Sequence, residues 1–139
     1  MTGNAEVVRT WWLRCWNERD LGAIADCFAP EFMENGKKHT PADFERLIEE
    51  AVAESPDFRV ELAELHESGD RVVTRIEYQF THSSPLFGVP ATGAPITAIG
   101  LDLFRLQDGK IVEYWHCVDH LPILRRIEKA ARETEGVTT

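Results

Sequence analysis

Apolar residues recur at i, i+3 and i+4 through Val7, Val8, Trp11, Trp12, Cys15 and Trp16, a spacing that predicts an amphipathic helix. Asn17 to Asp20 interrupt it. A second, short helix follows with Leu21, Ile24, Ala25 and Phe28 on one face, closed by Pro30. Asn35-Gly36-Lys37-Lys38 reads as a turn. Thr40-Pro41-Ala42-Asp43 then has the form of an N-cap with proline in the first helical position. The helix it opens turns Phe44, Leu47, Ile48, Ala51 and Val52 inward and ends before Pro56. From Asp57 the period shortens towards two. Phe58 to Glu67 reads as a strand, Ser68-Gly69-Asp70 as a tight turn and Arg71 to His82 as a long strand. That strand carries Val72, Thr74, Ile76, Tyr78, Phe80 and His82 on its apolar face and Arg75, Glu77, Gln79 and Thr81 on the other. A loop rich in proline and glycine spans Ser83 to Pro95. Ile96 to Leu106 and Ile111 to Val118 are strands joined by the hairpin turn Gln107-Asp108-Gly109-Lys110. Pro122 starts a last helix with Ile123, Leu124, Ile127 and Ala130 on one side, and Glu133 to Thr139 is expected to fray.

Helices first and then four strands joined by short turns predict an α+β fold, an antiparallel sheet with helices packed on one face. The 139 residues show no internal repeat or linker and fit one domain, 1–139. A net charge of −9, with the basic residues scattered among the acidic ones, excludes a nucleic-acid partner or an anionic membrane, which need clustered Lys and Arg. No apolar run is long enough to span a bilayer. The first residues have neither a basic start nor an apolar stretch, so a cytoplasmic location is expected. The odd count of three cysteines, Cys15, Cys27 and Cys117, points the same way, to reduced thiols.

Candidate chemistry depends on which faces the helices cover. On the Arg71–His82 strand the apolar face takes His82 inward beside Phe80 and Tyr78. On the last strand Trp115, Cys117 and Asp119 share one face, and Val112, Tyr114, His116 and Val118 the other. The size of Trp115 suits a pocket wall, so its face is expected inward, with Asp119 at the rim. Asp119 could equally cap the following helix, and His82 could be a hydrogen-bonded core residue. Asp102 lies in the otherwise apolar Gly100-Leu101-Asp102-Leu103-Phe104 and, if buried, needs a partner or a raised pKa. His116 and His120 have HxxxH spacing, but a strand end breaks the helical geometry a metal would need and no third ligand is near, so no metal is expected. No nucleophile elbow, phosphate loop or dinucleotide fingerprint occurs, and no cofactor is expected. With Trp115 and Asp102 inward, Val112, Tyr114, Val118, Ile99, Leu101 and Leu103 would face out as a broad apolar patch, which predicts a homodimer through the outer sheet face.

Several stretches together resemble a known family. They are Gly69-Asp70-Arg71-Val72-Val73, Phe80-Thr81-His82, Phe87-Gly88-Val89-Pro90-Ala91-Thr92-Gly93, and Asp108-Gly109-Lys110-Ile111-Val112-Glu113-Tyr114-Trp115 with Asp119. They are similar to the GTHxG, FxGxPxTG and DGKIxExWxxxD runs of SnoaL-like polyketide cyclases (ester cyclases). The resemblance implies a cone fold shared with ketosteroid isomerase and nuclear transport factor relatives, enclosing an apolar pocket for a polyketide-like ligand. It also implies that Asp119 is the general base. Asn35 stands where many relatives carry a histidine, and an aspartate base is needed near that position for isomerase chemistry. Asp102 resembles the isomerase's protonated aspartic acid. His82 is followed by Ser83-Ser84 instead of a glycine-containing step. The expected activity is cofactor-free ring closure of a polyketide intermediate in secondary-metabolite biosynthesis. Asp119 would take a proton from a carbon flanked by carbonyls, and His82 or Asp102 would donate to the oxyanion. Trp12, Trp16, Tyr78, Phe80, Phe104 and Trp115 would wall the substrate, with Asn35 as a further contact. The alternatives are pericyclic or epoxide-opening ether cyclisation, an isomerase, or a non-catalytic ligand-binding module.

Overall fold

The computed structural model describes residues 3–137. Helix α1 (Asn4–Arg9) runs on into a π-helical segment, Thr10–Asn17. The wider i→i+5 winding brings Trp11, Trp12, Cys15 and Trp16 towards one face, and all four are buried. The side-chain amide of Asn17 ends the segment by docking on the backbone of Val60, accepting its N–H at 2.8 Å and donating to its carbonyl at 2.7 Å. A 3₁₀ turn, Leu21–Ala23, leads to the short helix α2 (Ile24–Cys27). Strands β1 (Phe28–Glu34) and β2 (Lys37–His39) precede α3 (Pro41–Glu54). Four long strands follow, β3 (Arg59–Ser68), β4 (Arg71–Thr81), β5 (Pro95–Gln107) and β6 (Lys110–Val118), and then α4 (Leu121–Val137).

The six strands form one curved, unclosed sheet in the order β2-β1-β6-β5-β4-β3. All neighbours are antiparallel except β1 and β6, which run parallel. The α+β reading therefore holds, with a six-stranded mixed sheet in place of four antiparallel strands. Strands β1 and β2 escaped the pattern because Pro30, read as a helix terminator, sits inside β1. It does so where the β1–β6 register shifts between Phe28 and Met33, and a strand tolerates the missing N–H at such an irregularity. Phe28 accordingly opens β1, and Ala25 is exposed. Leu47, expected inward, is also exposed on α3. Helix α4 continues through Glu133 to Val137 instead of fraying there; the last two residues of the expected tail lie outside the described residues.

The concave face of the sheet packs on the N-terminal helices through an aromatic cluster. Trp11 stacks on Phe44 with centroids 5.3 Å apart and meets Phe28 edge-on at 4.8 Å, and Phe104 stacks on Tyr114 at 4.4 Å. Such pairs add to the area they bury. Trp12, Trp16 and Phe104, expected to line a pocket, are buried within this packing. They fill the concave face around them.

One expected face is reversed. Leu106 pairs with Ile111 but Arg105 pairs with Glu113, so Val112 is an extra residue on β6. A bulge of this kind switches the alternation of the strand that carries it. Ile111 points in, and beyond the bulge so do Tyr114 and His116, while Trp115 and Cys117 point out. Trp115 is 48% exposed and its indole N–H donates to Glu113 Oε1 at 3.1 Å. It is therefore no pocket wall. Ring size suggested burial, but the bulge decides the side.

Candidate active site

The register across β4, β5 and β6 sets Thr74, Asp102 and His116 side by side on the concave face. The adjoining row is Val72, Phe104 and Tyr114. Trp12 donates its indole N–H to Thr74 Oγ1 at 3.1 Å, which satisfies both buried polar groups. The side chain of Asp102 has no exposure at all. Its Oδ1 accepts the Tyr114 hydroxyl at 2.8 Å and also bonds His116 Nδ1. Because Tyr114 and His116 converge on Oδ1, Asp102 is an acceptor here, where its sequence context left a donor role open. Among the described residues its Oδ2 has no partner.

His116 faces both ways. Its Nδ1 is held by the buried carboxylate, its Nε2 lies 3.3 Å from the Tyr78 hydroxyl, and its side chain keeps 28% exposure. With Nδ1–H donated to Asp102, the tautomer leaves Nε2 with the lone pair. The backbone of His116 is fixed as well: Asn35 Oδ1 accepts its N–H at 2.8 Å, and Asn35 Nδ2 donates to its carbonyl at 3.1 Å. Asn35 does this from φ +50°, at the turn between β1 and β2. It positions the histidine through the main chain.

Burial, and after it the Asp102 charge, pushes the phenol of Tyr78 well above its ordinary range. The same two causes act in the same order on Tyr114. Both remain protonated donors. Gly100 faces Tyr78 from β5, and a Cβ there would lie 3.0 Å from Ile76 Cγ1 and 3.3 Å from Tyr78 Cε2. The ring has room because position 100 has no side chain.

Asp119 lies beyond β6, its N–H donated to the carbonyl of Ile99 at 3.0 Å. Its side chain is exposed and makes no hydrogen bond to any described residue. The next residue, His120, packs on Phe87 of the 83–94 loop with centroids 5.5 Å apart, so Asp119 stands at the edge of that loop. His116 and His120 thus engage different neighbours. Among the described residues no group of three or more His, Cys, Asp or Glu is placed to hold a metal ion. His82 is buried at the far end of β4, where it and Phe80 line a small cavity of about 130 Å³. A larger concavity, about 890 Å³, lies elsewhere, between the N-terminal helical segment and the β5–β6 hairpin, and is lined by Asn4, Arg14, Cys27 and Lys110 among others. None of the expected site residues reaches it.

The sequence pattern places His116, the residue that organises the cluster, on the outer face, and the structure places it on the inner one. The signal that could have found it is the even register of Tyr114 and His116 after a one-residue bulge, opposite the buried Asp102.

A curved sheet wrapped over N-terminal helices thus gathers a carboxyl group, an imidazole and two phenols on its concave face. The family model for SnoaL-like polyketide cyclases matches residues 6–127, and the chain belongs to that family. Among solved structures it is similar to a SnoaL-like polyketide cyclase from Agrobacterium tumefaciens, at 18% identity and a TM-score of 0.80, over 90% of this chain and 98% of that one. IdmH from Streptomyces antibioticus, for which a polyketide cyclase role has been suggested, is similar at 24% identity and a TM-score of 0.80, over 90% and 98% of the two chains. AclR from Streptomyces galilaeus, for which a hydroxylase role has been suggested, is similar at 28% identity and a TM-score of 0.73, over 91% and 98%. No curated protein sequence matches the chain. Among the described residues no helix is long and apolar enough to cross a membrane.

Proposed function

We propose that the protein is a cofactor-free polyketide cyclase in which His116, backed by Asp102, is the general base. The observation that carries this is the bond between His116 Nδ1 and buried Asp102 Oδ1, with the side chain of His116 part-exposed and its Nε2 3.3 Å from the Tyr78 hydroxyl. A carbon flanked by two carbonyls gives its proton to Nε2, and Asp102 stabilises the imidazolium that forms. Tyr78, kept protonated, donates to the oxygen of the enolate. The enolate carbon adds to a second carbonyl of the same chain and closes the ring. The alkoxide so formed takes the proton back from Nε2, and the base is regenerated. No external oxidant or group donor is consumed.

Asp119, the base that the family resemblance implies, is a rim residue in this reading. The test is turnover of a linear poly-β-carbonyl substrate by His116→Asn, Asp102→Asn and Asp119→Asn, each with native circular dichroism. The expected result is a loss of about a hundredfold or more in the first, the scale of general-base catalysis, with Asp119→Asn within a few fold of wild type. A collapse in Asp119→Asn with His116→Asn intact would return the base to Asp119. Full activity in all three would favour closure by shape alone, or ether formation. No ring closure by the wild-type protein would leave a ligand-binding module.

We also propose a homodimer. Val73, Ile99, Leu101, Leu103 and Trp115 are exposed together on the outer face of β4, β5 and β6, an apolar grouping of the kind that marks a contact surface. The face is the one expected from the sequence, with Trp115 and Val73 in place of Val112, Tyr114 and Val118. The free thiols of Cys15, Cys27 and Cys117 are in keeping with a reducing cytoplasm, and the activity with a step in secondary-metabolite assembly.

A further inference from the structure

In the free protein the general base and the oxyanion donor are bonded to each other. His116 gives its Nδ1–H to Asp102 Oδ1, so the neutral ring keeps its lone pair on Nε2. The group facing that lone pair is the Tyr78 hydroxyl, at 3.3 Å. An imidazole nitrogen without a proton can only accept, so the phenol is the donor. Burial raises the Tyr78 phenol well above its ordinary range, which keeps the proton on the oxygen. Among the described residues this hydroxyl has no other hydrogen-bond partner. A phenol carries one proton. While that proton lies on Nε2, the ring offers no lone pair to a C–H and the phenol offers nothing to a carbonyl.

The two partners differ in how freely they can part. Asn35 holds the main chain of His116 and Asp102 holds its Nδ1. Tyr114 is fixed as firmly, its hydroxyl bonded at 2.8 Å and its ring stacked on Phe104. Tyr78 has only the 3.3 Å bond at its tip, at the long and therefore weak end of the range. Its neighbours on β5 are small. Ala98 lies directly opposite, and at Gly100 a Cβ would come within 3.3 Å of Tyr78 Cε2.

We infer that Tyr78 is a gate on the base, occupying His116 Nε2 until a ligand's carbonyl oxygen takes over its hydrogen bond and leaves the nitrogen free. The phenol keeps its proton and changes only its acceptor, so nothing is consumed. It then already sits on the oxygen where enolate charge develops. A criterion for the substrate follows. The acidic carbon must stand beside a carbonyl oxygen, and a C–H acid with no such acceptor leaves the base covered. The part this gate plays in ring closure rests on His116 being the base, as proposed above; the occupancy of Nε2 does not.

The experiment uses the whole chain labelled with ¹⁵N-histidine. Cyclohexanone is the ketone probe, and methylenecyclohexane, of the same shape without the oxygen, is its control. In the free protein His116 should show Nδ1 protonated and Nε2 unprotonated, the Nε2 resonance displaced by an accepted hydrogen bond. Tyr78→Phe, with native circular dichroism, should move Nε2 towards the position of a free lone pair and leave Nδ1 in place. Cyclohexanone should move wild-type Nε2 in the same direction, saturating at concentrations on the order of tens of millimolar for so small a ligand. Methylenecyclohexane should leave it unmoved. A proton on Nε2 would overturn the inference. So would an Nε2 resonance unchanged in Tyr78→Phe, or a wild-type shift that the ketone fails to produce or the hydrocarbon reproduces. The wild-type titration needs no variant to fold. Full turnover in His116→Asn alongside these shifts would remove the base and leave the Tyr78–Nε2 gate standing. Lost turnover without the shifts would leave a base that is never covered.

Discussion

Asn35 shows how much one side chain can set in this fold. Its amide makes two bonds to the main chain of His116 from a left-handed backbone conformation. Asn35→Gly keeps that conformation and loses only the bonds, at a cost of about 1–2 kcal/mol. Asn35→Ala should cost about 1 kcal/mol more, because a Cβ is disfavoured at positive φ. Thermal or urea denaturation of both variants checks the difference, and equal stabilities would mean that the backbone strain is negligible. The two tyrosines provide another test, since Tyr78 and Tyr114 are the whole tyrosine content of the chain. Burial first and the Asp102 charge second raise both phenols well above the ordinary value of about 10. The unfolded chain therefore loses these protons before the folded one does. This contribution to stability is complete below about pH 10 and is lost as pH rises from there through the folded values. Ultraviolet titration should show no tyrosinate at pH 10 while the protein is folded, and its appearance only together with unfolding. Ionisation of either phenol at its ordinary pH in the native state would contradict the buried cluster.

The elements differ in how plainly the sequence announced them. Helix α3 was legible down to its first turn, because Thr40, Pro41 and Asp43 are local signals and Asp43 accepts the Thr40 N–H at 2.9 Å. Strands β4 and β5 were legible because each is buried on one face, so burial alternates residue by residue along both. His82 followed onto the inner side from that alternation, while the side of Asp102 was left open until the structure showed it buried. Strand β1 was hidden by Pro30, and the sides of β6 by Val112. The first depends on pairing with β6, distant in sequence, and the second on pairing across the β5–β6 hairpin, so neither shows in the alternation of the strand itself. His116 and Tyr114 were lost with β6, whereas Asp102, Tyr78 and Asn35 were already among the expected residues. The loop between α3 and β3 has its own chemistry. Asp57 accepts the Thr81 hydroxyl at 2.6 Å and the Thr81 N–H at 3.1 Å, and these bonds lower its pKa. Asp43 is lowered too, first by the Thr40 N–H and then by His39. A depressed carboxylate stabilises the fold above the ordinary aspartate range, near pH 4, and that stability is lost as pH falls through the depressed value. The urea midpoint should decline as pH falls below about 4, and Asp57→Asn should flatten the decline. An unchanged slope would show that the Asp57–Thr81 clasp does not outlast the unfolded chain's titration.

At the scale of the molecule, the two faces of the sheet differ in what they expose. The concave side of β5 holds Asp102 and Phe104, while Leu101 and Leu103 between and beside them stand in solvent. Replacing both leucines with lysine should leave the inner face and its chemistry intact and yield a monomer by sedimentation. A wild-type chain already monomeric at micromolar concentration would remove the dimer. The bulge at Val112 has a further consequence for observing this. Of the chain's four tryptophans, three are packed in the helical core, and the bulge turns out the fourth, Trp115. Fluorescence from the single solvent-facing indole then reports on the outer surface, and red-shifted emission should move to the blue as subunits associate. A Trp115→Phe variant should lose that signal while the inner three still report unfolding, so that assembly and folding are read at two colours from one unlabelled protein.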